Sequence, residues 1–432
     1  MNRLRRQLLQ GLATQAGTSR AMVASRALVS SRAMSAMGAV GAIGGLAGLS
    51  GFSPPAVAQS KSTSQPGTPN NDRILVVLEL SGGNDGLNTV VPYGDDAYYR
   101  YRPKIGIRPD KLRKLDHHFG LNPGLAGFER LWKNGQLAIL HGCGYDKPSY
   151  SHFTSMAYLH TAAPNSGDDY GWYGRLADAM APKPIPNFLV NIDTEQSLAV
   201  RSRFHTPVVF DAPERFQRNG YVQARELLDG SASSDRGNAS LAYLNKVAAS
   251  ARESSTLVRE AWSTFKTPID YGIVPVQLPK VAACIAAGLP TRLYYAAYRN
   301  NAFDTHVQQS DLHQRLLTYV SDSIDGFLRD MERLGFADRV VVMAFSEFGR
   351  RVPENTSLGT DHGTSNVMFF AGKPVRGGHY GGVPDLNQLV DGENLPLTTD
   401  FRRVYATAID GWLRAGVADT VLKGRYEPFA VF

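Results

Sequence analysis

The chain has 432 residues, with 46 Lys and Arg against 39 Asp and Glu, a formal charge of +7 and two cysteines. A composition that is 43% apolar and 20% charged is that of a folded soluble protein, which excludes a mainly disordered, collagenous or coiled-coil chain. Six arginines are the only charged side chains before residue 59, so the rest of the chain carries 40 basic against 39 acidic groups. A nucleic-acid partner therefore has no electrostatic support from the body of the chain. Cys143 and Cys284 define no disulfide framework, and we expect them to be unpaired.

Residues 1–58 have the pattern of an export signal. The pair Arg5-Arg6 precedes an uncharged run rich in Gly, Ala and Ser, and residues 56–58 (AVA) form a small-x-small cleavage site. Paired arginines ahead of a weakly hydrophobic run favour twin-arginine export, with general secretion as the alternative. We predict a periplasmic or secreted protein that begins near residue 59 and has no stable membrane span after processing.

Short apolar runs follow a linker rich in Ser, Thr, Pro and Asn over residues 59–72. Continuous apolar runs of this length are typical of strands that are buried on both faces of a parallel sheet. The candidate strands lie at residues 74–78, 136–142, 187–192, 293–298, 339–345 and 366–371.

One long amphipathic helix lies between two of these strands. Apolar residues recur at three- and four-residue steps from Leu312 to Met331, ahead of Gly335. Strand, helix and strand in this order make a βαβ unit. We predict one α/β domain over residues 73–432, with a central, largely parallel sheet flanked by helices and a mostly helical insertion at about residues 165–290.

Acidic and histidine side chains follow several predicted strands, where an α/β sheet places its chemistry. Asp304 and His306 lie two residues apart in one loop, which suits two ligands of a single cation. Asp85 stands on a Gly-rich turn after the first strand, for which a solvated turn is the alternative. The other candidate ligands are Glu347, Asp361 and His362. A mixed set of histidines and carboxylates favours Zn, Mn or Fe over Mg or Ca, and unrelated loop hydrogen bonds are the alternative.

Ser151 and Arg350 are the candidate groups for binding an anion. Ser151 opens a predicted helix beside His152, and a helix N-terminus offers unpaired N–H groups and a positive dipole. A purely structural helix cap would also explain this serine. Arg350 lies on the same rim as Glu347, where a guanidinium suits bidentate binding of phosphate or sulfate oxygens. The expected partner is therefore a small anion or an anionic ester, and no protein partner is indicated.

Six segments of the chain resemble a known family. They are ELSGGNDGLNTVVP (79–92), YSHF (150–153), FDTHVQQ (303–309), SEFGRRVPEN (346–355), GTDHGTSNVMF (359–369) and TDFRRVY (399–405). With these segments the chain resembles the domain of unknown function family 1501, whose members are secreted bacterial proteins. That family is distantly related to alkaline phosphatases, sulfatases and phosphopentomutases. The resemblance covers nearly the whole chain after the signal.

The resemblance implies an alkaline-phosphatase-like fold and roles for individual residues. Asp85 corresponds to the superfamily's first metal carboxylate, and Ser151 lies in the region of its Ser/Thr nucleophile. Asp304 and His306 resemble its Asp/His pair after the middle strand, at a closer spacing than usual.

Two registers are open for the last metal ligands. In one register, Asp361-His362 is the superfamily's Asp-His pair. In the other, residues 346–349 (SEFG) take that place because they directly follow the strand, and His362 is a later, third histidine. We prefer the second register, in which Phe348 replaces a metal histidine.

The expected function is a periplasmic, metal-dependent hydrolase of phosphate or sulfate esters. One divalent metal would activate Ser151 or a water, and a second would stabilise the leaving oxygen. The alternative is a catalytically degenerate relative that binds a metal or an anion, or serves in cell-envelope assembly. The incomplete ligand set favours the alternative, whereas the number of acidic and histidine groups favours the enzyme.

Overall fold

The computed structural model describes residues 72–216 and 253–432, which belong to one compact unit, Thr68–Phe432. The export signal predicted over residues 1–58 lies outside the described residues, as does the linker up to residue 71. Within the two described ranges, no helix combines the length and the apolarity that are needed to cross a membrane.

The described residues form two sheets. The strands in chain order are β1 (Ile74–Leu80), β2 (Val90–Val91), β3 (Arg113–Lys114), β4 (Gly120–Leu121), β5 (Leu137–Gly144), β6 (Leu189–Ile192), β7 (Val208–Phe210), β8 (Leu293–Tyr298), β9 (Val340–Phe345), β10 (Asn366–Ala371), β11 (Gly378–Tyr380) and β12 (Thr399–Asp400). The main sheet has the order β11-β5-β10-β9-β1-β8-β6-β7, and β12 also pairs with β5. Every pairing in it is parallel except those of β10, which is antiparallel to β5 and β9. The small antiparallel sheet has the order β2-β4-β3.

Helices cover both faces of the main sheet. They are α1 (Gly86–Thr89), α2 (Asp96–Tyr101), α3 (Ala126–Lys133), α4 (His152–Thr161), α5 (Trp172–Met180), α6 (Leu278–Ala286), α7 (Gln309–Arg333), α8 (Phe401–Ala406) and α9 (Ala418–Leu422), and residues 253–264 are also helical. One face of the sheet packs against α3, α6 and α7, and the other packs against α4, α5, α8 and α9. The predicted α/β class, with a central and largely parallel sheet flanked by helices, is confirmed. All six predicted strands are present, each within two residues of its predicted ends.

The described part of residues 165–290 contains both helices and strands. Helices α5 and α6 and the helical residues 253–264 belong to it. Its strands β6 and β7 pair in parallel with each other, and β6 pairs with β8, so these two strands extend the main sheet. The mostly helical insertion stays a prediction, since residues 217–252 lie outside the described residues.

Alternation along the strands divides the interior into two hydrophobic clusters. In β1, Val76 faces one cluster and Val77 faces the other, since successive side chains of a strand point to opposite faces. Cys284 belongs to the first cluster and Cys143 to the second, and both are buried and free. The two cysteines are therefore unpaired, as expected, and lie on opposite sides of the sheet.

The strand directions bring five loops to one edge of the main sheet. Because β1, β5, β8 and β9 run parallel, the loops after them lie at their common carboxyl edge. Since β10 runs the opposite way, the loop before it reaches the same edge. Most of the candidate site residues lie in these five loops.

A buried carboxylate, Glu79, lies near the end of β1. The His160 Nε2 atom is 2.7 Å from its Oε2 atom, and the Tyr295 hydroxyl donates to the same oxygen over 2.5 Å. Burial raises the pKa of Glu79, but the His160 ring and the two hydrogen bonds outweigh burial and hold the pKa below its usual value. The ionised form of Glu79 therefore stabilises the fold.

We expect Tyr295→Phe to lower the free energy of unfolding by about 1–3 kcal/mol at neutral pH, because it leaves a buried carboxylate short of a donor. The contribution of a carboxyl group with a lowered pKa is present above the unfolded value of about 4.3 and is lost as the pH falls through the folded value. The difference between variant and parent should therefore shrink in acid. Urea unfolding at a series of pH values measures it.

The control for this experiment is Tyr294→Phe. Tyr294 is as deeply buried as Tyr295, and its hydroxyl hydrogen-bonds to no carboxylate among the described residues. We expect its loss to have a small effect that does not change with pH. A Tyr295→Phe difference that stayed constant down to acid pH would contradict the assignment of an ionised Glu79.

Candidate functional site

Three side chains from three loops converge at the carboxyl edge of the main sheet. The potential ligand atoms of His152, Asp304 and His362 all lie within 4.8 Å of one another. A fourth side chain joins them, because the His306 Nε2 atom is 2.9 Å from both the Asp304 Oδ1 atom and the His362 Nε2 atom. We call these four residues the histidine cluster.

Two glycines allow the loops of the cluster to approach one another closely. Gly82 has a φ of 120°, and a Cβ atom there would lie 2.5 Å from the backbone nitrogen of Asp304. A Cβ atom on Gly359 would lie 2.2 Å from the backbone carbonyl of His306. Only a residue without a side chain fits at either position, since real Cβ contacts are never so short.

Arg350 forms hydrogen bonds with several of these loops. Its side chain is fully buried, and its Nη2 atom donates to the Asp304 Oδ1 atom over 2.7 Å. Four further hydrogen bonds go to the backbone carbonyl oxygens of Gly82, Gly83, Phe303 and Thr360, and the Nη1 atom also lies 3.4 Å from the His306 Nε2 atom. Because each guanidinium nitrogen is already engaged, the structure gives Arg350 a different role from the anion clamp that its position in the sequence indicated.

The surroundings of Asp304 and His362 favour the protonation states that bind cations. Burial raises the pKa of Asp304, but hydrogen bonds from Arg350 and His362 outweigh burial and lower the pKa to about 2. Burial also lowers the pKa of His362, which favours its neutral imidazole. An ionised carboxylate and a neutral imidazole are the forms that coordinate metals.

Glu347 orients His152 and is not itself part of the cluster. Its buried carboxylate lies 2.8 Å from the His152 Nδ1 atom and accepts hydrogen bonds from the Gly82 N–H and the Ser346 hydroxyl. Its hydrogen bond is the main cause of the raised pKa of His152. The other ring nitrogen, Nε2, is buried without a hydrogen-bond partner, 3.4 Å from the Asp304 Oδ2 atom. The raised pKa favours the imidazolium, which pairs with both carboxylates, and a metal bound at Nε2 would displace the proton from that nitrogen while Glu347 keeps the one on Nδ1.

Asp361 and His362, neighbours in the sequence, take different positions. His362 enters the cluster, whereas Asp361 lies at its margin, with its Oδ1 atom 3.1 Å from the His306 Nδ1 atom. The ring of Phe348 packs against His152 and His362, at centroid distances of 5.0 and 4.6 Å. His362 therefore lies within the cluster, Asp361 lies beside it, and the Phe348 ring covers one side of it.

Asp85 and Ser151 lie outside the cluster. The Asp85 Oδ2 atom is 2.7 Å from the Arg102 Nη1 atom and also accepts from the Gln309 amide, while its Oδ1 atom caps α1. Ser151 is exposed and caps α4 by accepting from the Thr154 N–H over 3.5 Å. The carboxylate predicted as the first metal ligand is thus a partner of a buried arginine, and the predicted nucleophile is one residue away from His152.

His152 is the cluster residue that the sequence analysis did not assign to a metal. It appeared there only as the neighbour of Ser151. The available signal was its place at the first position of a helix that follows a strand-end loop. Its partner Glu347 is 195 residues away, so no local pattern joins the two.

Comparison with known proteins gives a family and distant structural likenesses. No curated protein matches the chain in sequence. Among solved structures, the PsFucS1 sulfatase from Pseudoalteromonas sp. is similar at 11% identity and a TM-score of 0.38, over 83% of this chain and 70% of that chain. The phosphonate monoester hydrolase SpPMH from Silicibacter pomeroyi is similar at 10% identity and a TM-score of 0.36, over 82% of this chain and 75% of that chain. Likenesses at this level carry no functional argument.

The family match covers almost all of the described chain. The family described as protein of unknown function (DUF1501) matches residues 72–421. That range includes the three loops of the histidine cluster together with Arg350 and Glu347. The chain therefore belongs to the DUF1501 family.

Proposed function

We propose that this protein is a periplasmic, metal-dependent hydrolase of phosphate or sulfate esters. In this proposal one divalent cation is held by His152, Asp304, His306 and His362. The observation that supports it best is the unpartnered Nε2 atom of His152, which is buried close to the ionised Asp304. A buried nitrogen of this kind costs free energy unless a ligand pairs with it.

The donor set fits Zn, Mn or Fe better than Mg or Ca. Three imidazoles and one carboxylate suit the borderline-soft cations, whereas Mg and Ca prefer an all-oxygen shell. The proposal has one cation where the sequence pointed to two. The other candidate carboxylates are engaged elsewhere, Asp85 by Arg102, Glu347 by His152 and Asp361 by the Nδ1 atom of His306.

The residues around the cluster support this chemistry in distinct ways. When bound, a divalent cation polarises an ester oxygen and a nearby water. With a cation bound at the two Nε2 atoms, Glu347 would accept the Nδ1 proton of His152 and Asp361 that of His306, since their carboxylates lie 2.8 and 3.1 Å from those nitrogens. Ser151 offers an exposed hydroxyl at the start of α4, where the helix dipole favours a negatively charged group.

A protein that binds a metal or an anion without catalysis is the second candidate. The engagement of Arg350 favours it, because every nitrogen of this guanidinium already pairs with a protein atom and is not free to bind the ester oxygens. The two candidates share the metal site and differ in turnover. A test of metal binding and a separate test of hydrolysis therefore distinguish them.

We expect His152→Ala and His362→Ala to weaken the binding of Zn²⁺ or Mn²⁺ at least tenfold, and Glu347→Gln to weaken it by roughly 10–100-fold. Metal content after dialysis, measured by mass spectrometry, and metal titration of the stripped protein provide the values. The control is His117→Ala, which removes an exposed histidine outside the cluster. If all four proteins kept the same metal content, the metal site would be wrong.

We expect the metal-loaded protein to hydrolyse at least one of the p-nitrophenyl esters of phosphate, phenylphosphonate and sulfate. His362→Ala should abolish this activity, and Ser151→Ala should lower kcat by about 10²–10⁴-fold if the serine hydroxyl takes part in the chemistry. Release of p-nitrophenolate measures it. Full metal occupancy without turnover of any of these esters would favour the second candidate.

We expect the precursor with Arg5→Lys and Arg6→Lys to remain in the cytoplasm, since the arginine pair is the feature that separates twin-arginine export from general secretion. Immunoblots of cytoplasmic and periplasmic fractions measure it, with Arg3→Lys as the control. Undiminished delivery of the double variant to the periplasm would exclude twin-arginine export.

A further inference from the structure

A cavity of about 540 Å³ opens at the carboxyl edge of the main sheet. Three adjacent parallel strands contribute to it: Asp193 follows β6, Asp211 follows β7, and Tyr298 ends β8. Residues 274–277, Pro279, Lys280 and Trp262 also line it. Its volume is that of a site for a small organic molecule.

The charged groups of the cavity are paired and cancel one another. Asp193 pairs with Arg299, and Asp211 pairs with Lys280 at 3.3 Å. The Gln277 side chain donates to Asp211 over 3.0 Å. A charged ligand gains little net attraction from two balanced pairs. A hydroxyl group, in contrast, both donates and accepts, so it fits beside the carboxylates and the cationic groups alike.

Two aromatic side chains add apolar surface to the same walls. Trp262 and Tyr298 both line the cavity and are partly exposed. Aromatic rings that combine an apolar face with a polar edge suit ligands that have both C–H surface and polar groups. A ligand that is neutral, rich in hydroxyl groups and partly apolar therefore matches the lining better than an anion or a hydrocarbon does.

The backbone of the cavity lining is strained at two neighbouring positions. Val276 and Gln277 have φ values of 41° and 65°. Such values are rare for residues other than glycine and asparagine, above all for a β-branched residue such as valine. Strain of this kind persists where surrounding structure enforces it, and it concentrates at ligand sites. The strain in this part of the lining supports a binding role for the cavity.

The cavity lies close enough to the histidine cluster to share a ligand with it. Asn300 lines the cavity and is four residues from Asp304, a stretch that spans at most about 14 Å when fully extended. Between these two residues, the Asn301 side chain accepts a hydrogen bond from the Ser81 hydroxyl. Gly82, which follows Ser81 in the chain, donates its backbone N–H to the Glu347 carboxylate. Hydrogen bonds between neighbouring loops thus connect the cavity with the histidine cluster.

We propose that this cavity binds a neutral polyhydroxylated molecule such as a carbohydrate. A second part of the proposal, that this molecule is the organic portion of the ester, rests on the proposed function. The substrate would then be a phosphate or sulfate ester of a carbohydrate, with its ester group at the histidine cluster. The binding of the carbohydrate itself does not depend on hydrolysis or on metal.

Binding to an array of neutral and charged glycans, followed by calorimetry with the best neutral oligosaccharide, tests the first part. We expect Trp262→Ala to weaken binding roughly tenfold or more, because it removes an aromatic face. Thr194→Trp, which places a large side chain on the exposed rim, should block the cavity and abolish binding. The control is Phe204→Ala, which truncates an exposed aromatic residue ahead of β7, at the opposite edge of the sheet.

Asp304→Ala separates this proposal from the proposed function. We expect this variant to retain the affinity of the parent for the neutral oligosaccharide while losing metal. Oligosaccharide binding without ester hydrolysis in the parent protein would support the cavity and contradict the hydrolase. No binding to any neutral glycan of the array, or binding that both Trp262→Ala and Thr194→Trp leave unchanged, would overturn the carbohydrate site.

Discussion

The candidate site depends on one buried guanidinium. Arg350 donates to the carbonyl oxygens of three separate loops and to the carboxylate of Asp304, so a single side chain sets the distances between the segments that hold the histidines. A planar fork with several fixed donors can satisfy this many acceptors, whereas a lysine ammonium cannot reach them in the same geometry. The same contacts keep Asp304 ionised. The spacing of these loops and the ionised state of Asp304 therefore both depend on the hydrogen bonds of Arg350.

Much of the fold could be predicted because its signals are local. Buried parallel strands are continuous apolar runs, and the periodicity of α7 is long enough to be unambiguous. The strand β7, with only three residues, carried too weak a signal and was not among the predicted strands. In the site, the close spacing of Asp304 and His306 was sufficient to bring them together in the prediction, and the position of the loop before β10 explains why His362 meets them.

Side-chain partners that are distant in sequence account for what could not be predicted. Asp85 has the residue type and position of a metal ligand, but its carboxylate forms an ion pair with Arg102, a buried arginine at the C-terminal end of α2. Glu347 likewise follows a strand directly and binds a histidine 195 residues away. An Asp or Glu in a sequence shows only that a hydrogen-bond acceptor is present. Which donor pairs with it depends on the packing of residues that are distant in the sequence. His152 was missed for the same reason, since its orientation depends on Glu347.

The positions of the two cysteines bear on where this protein can fold. Cys143 and Cys284 are buried on opposite sides of the main sheet, and burial raises the pKa of both thiols, so neither is readily ionised. Disulfide exchange proceeds through thiolates, which these positions disfavour. The native state of the described chain thus requires no oxidant, and it can form under reducing conditions.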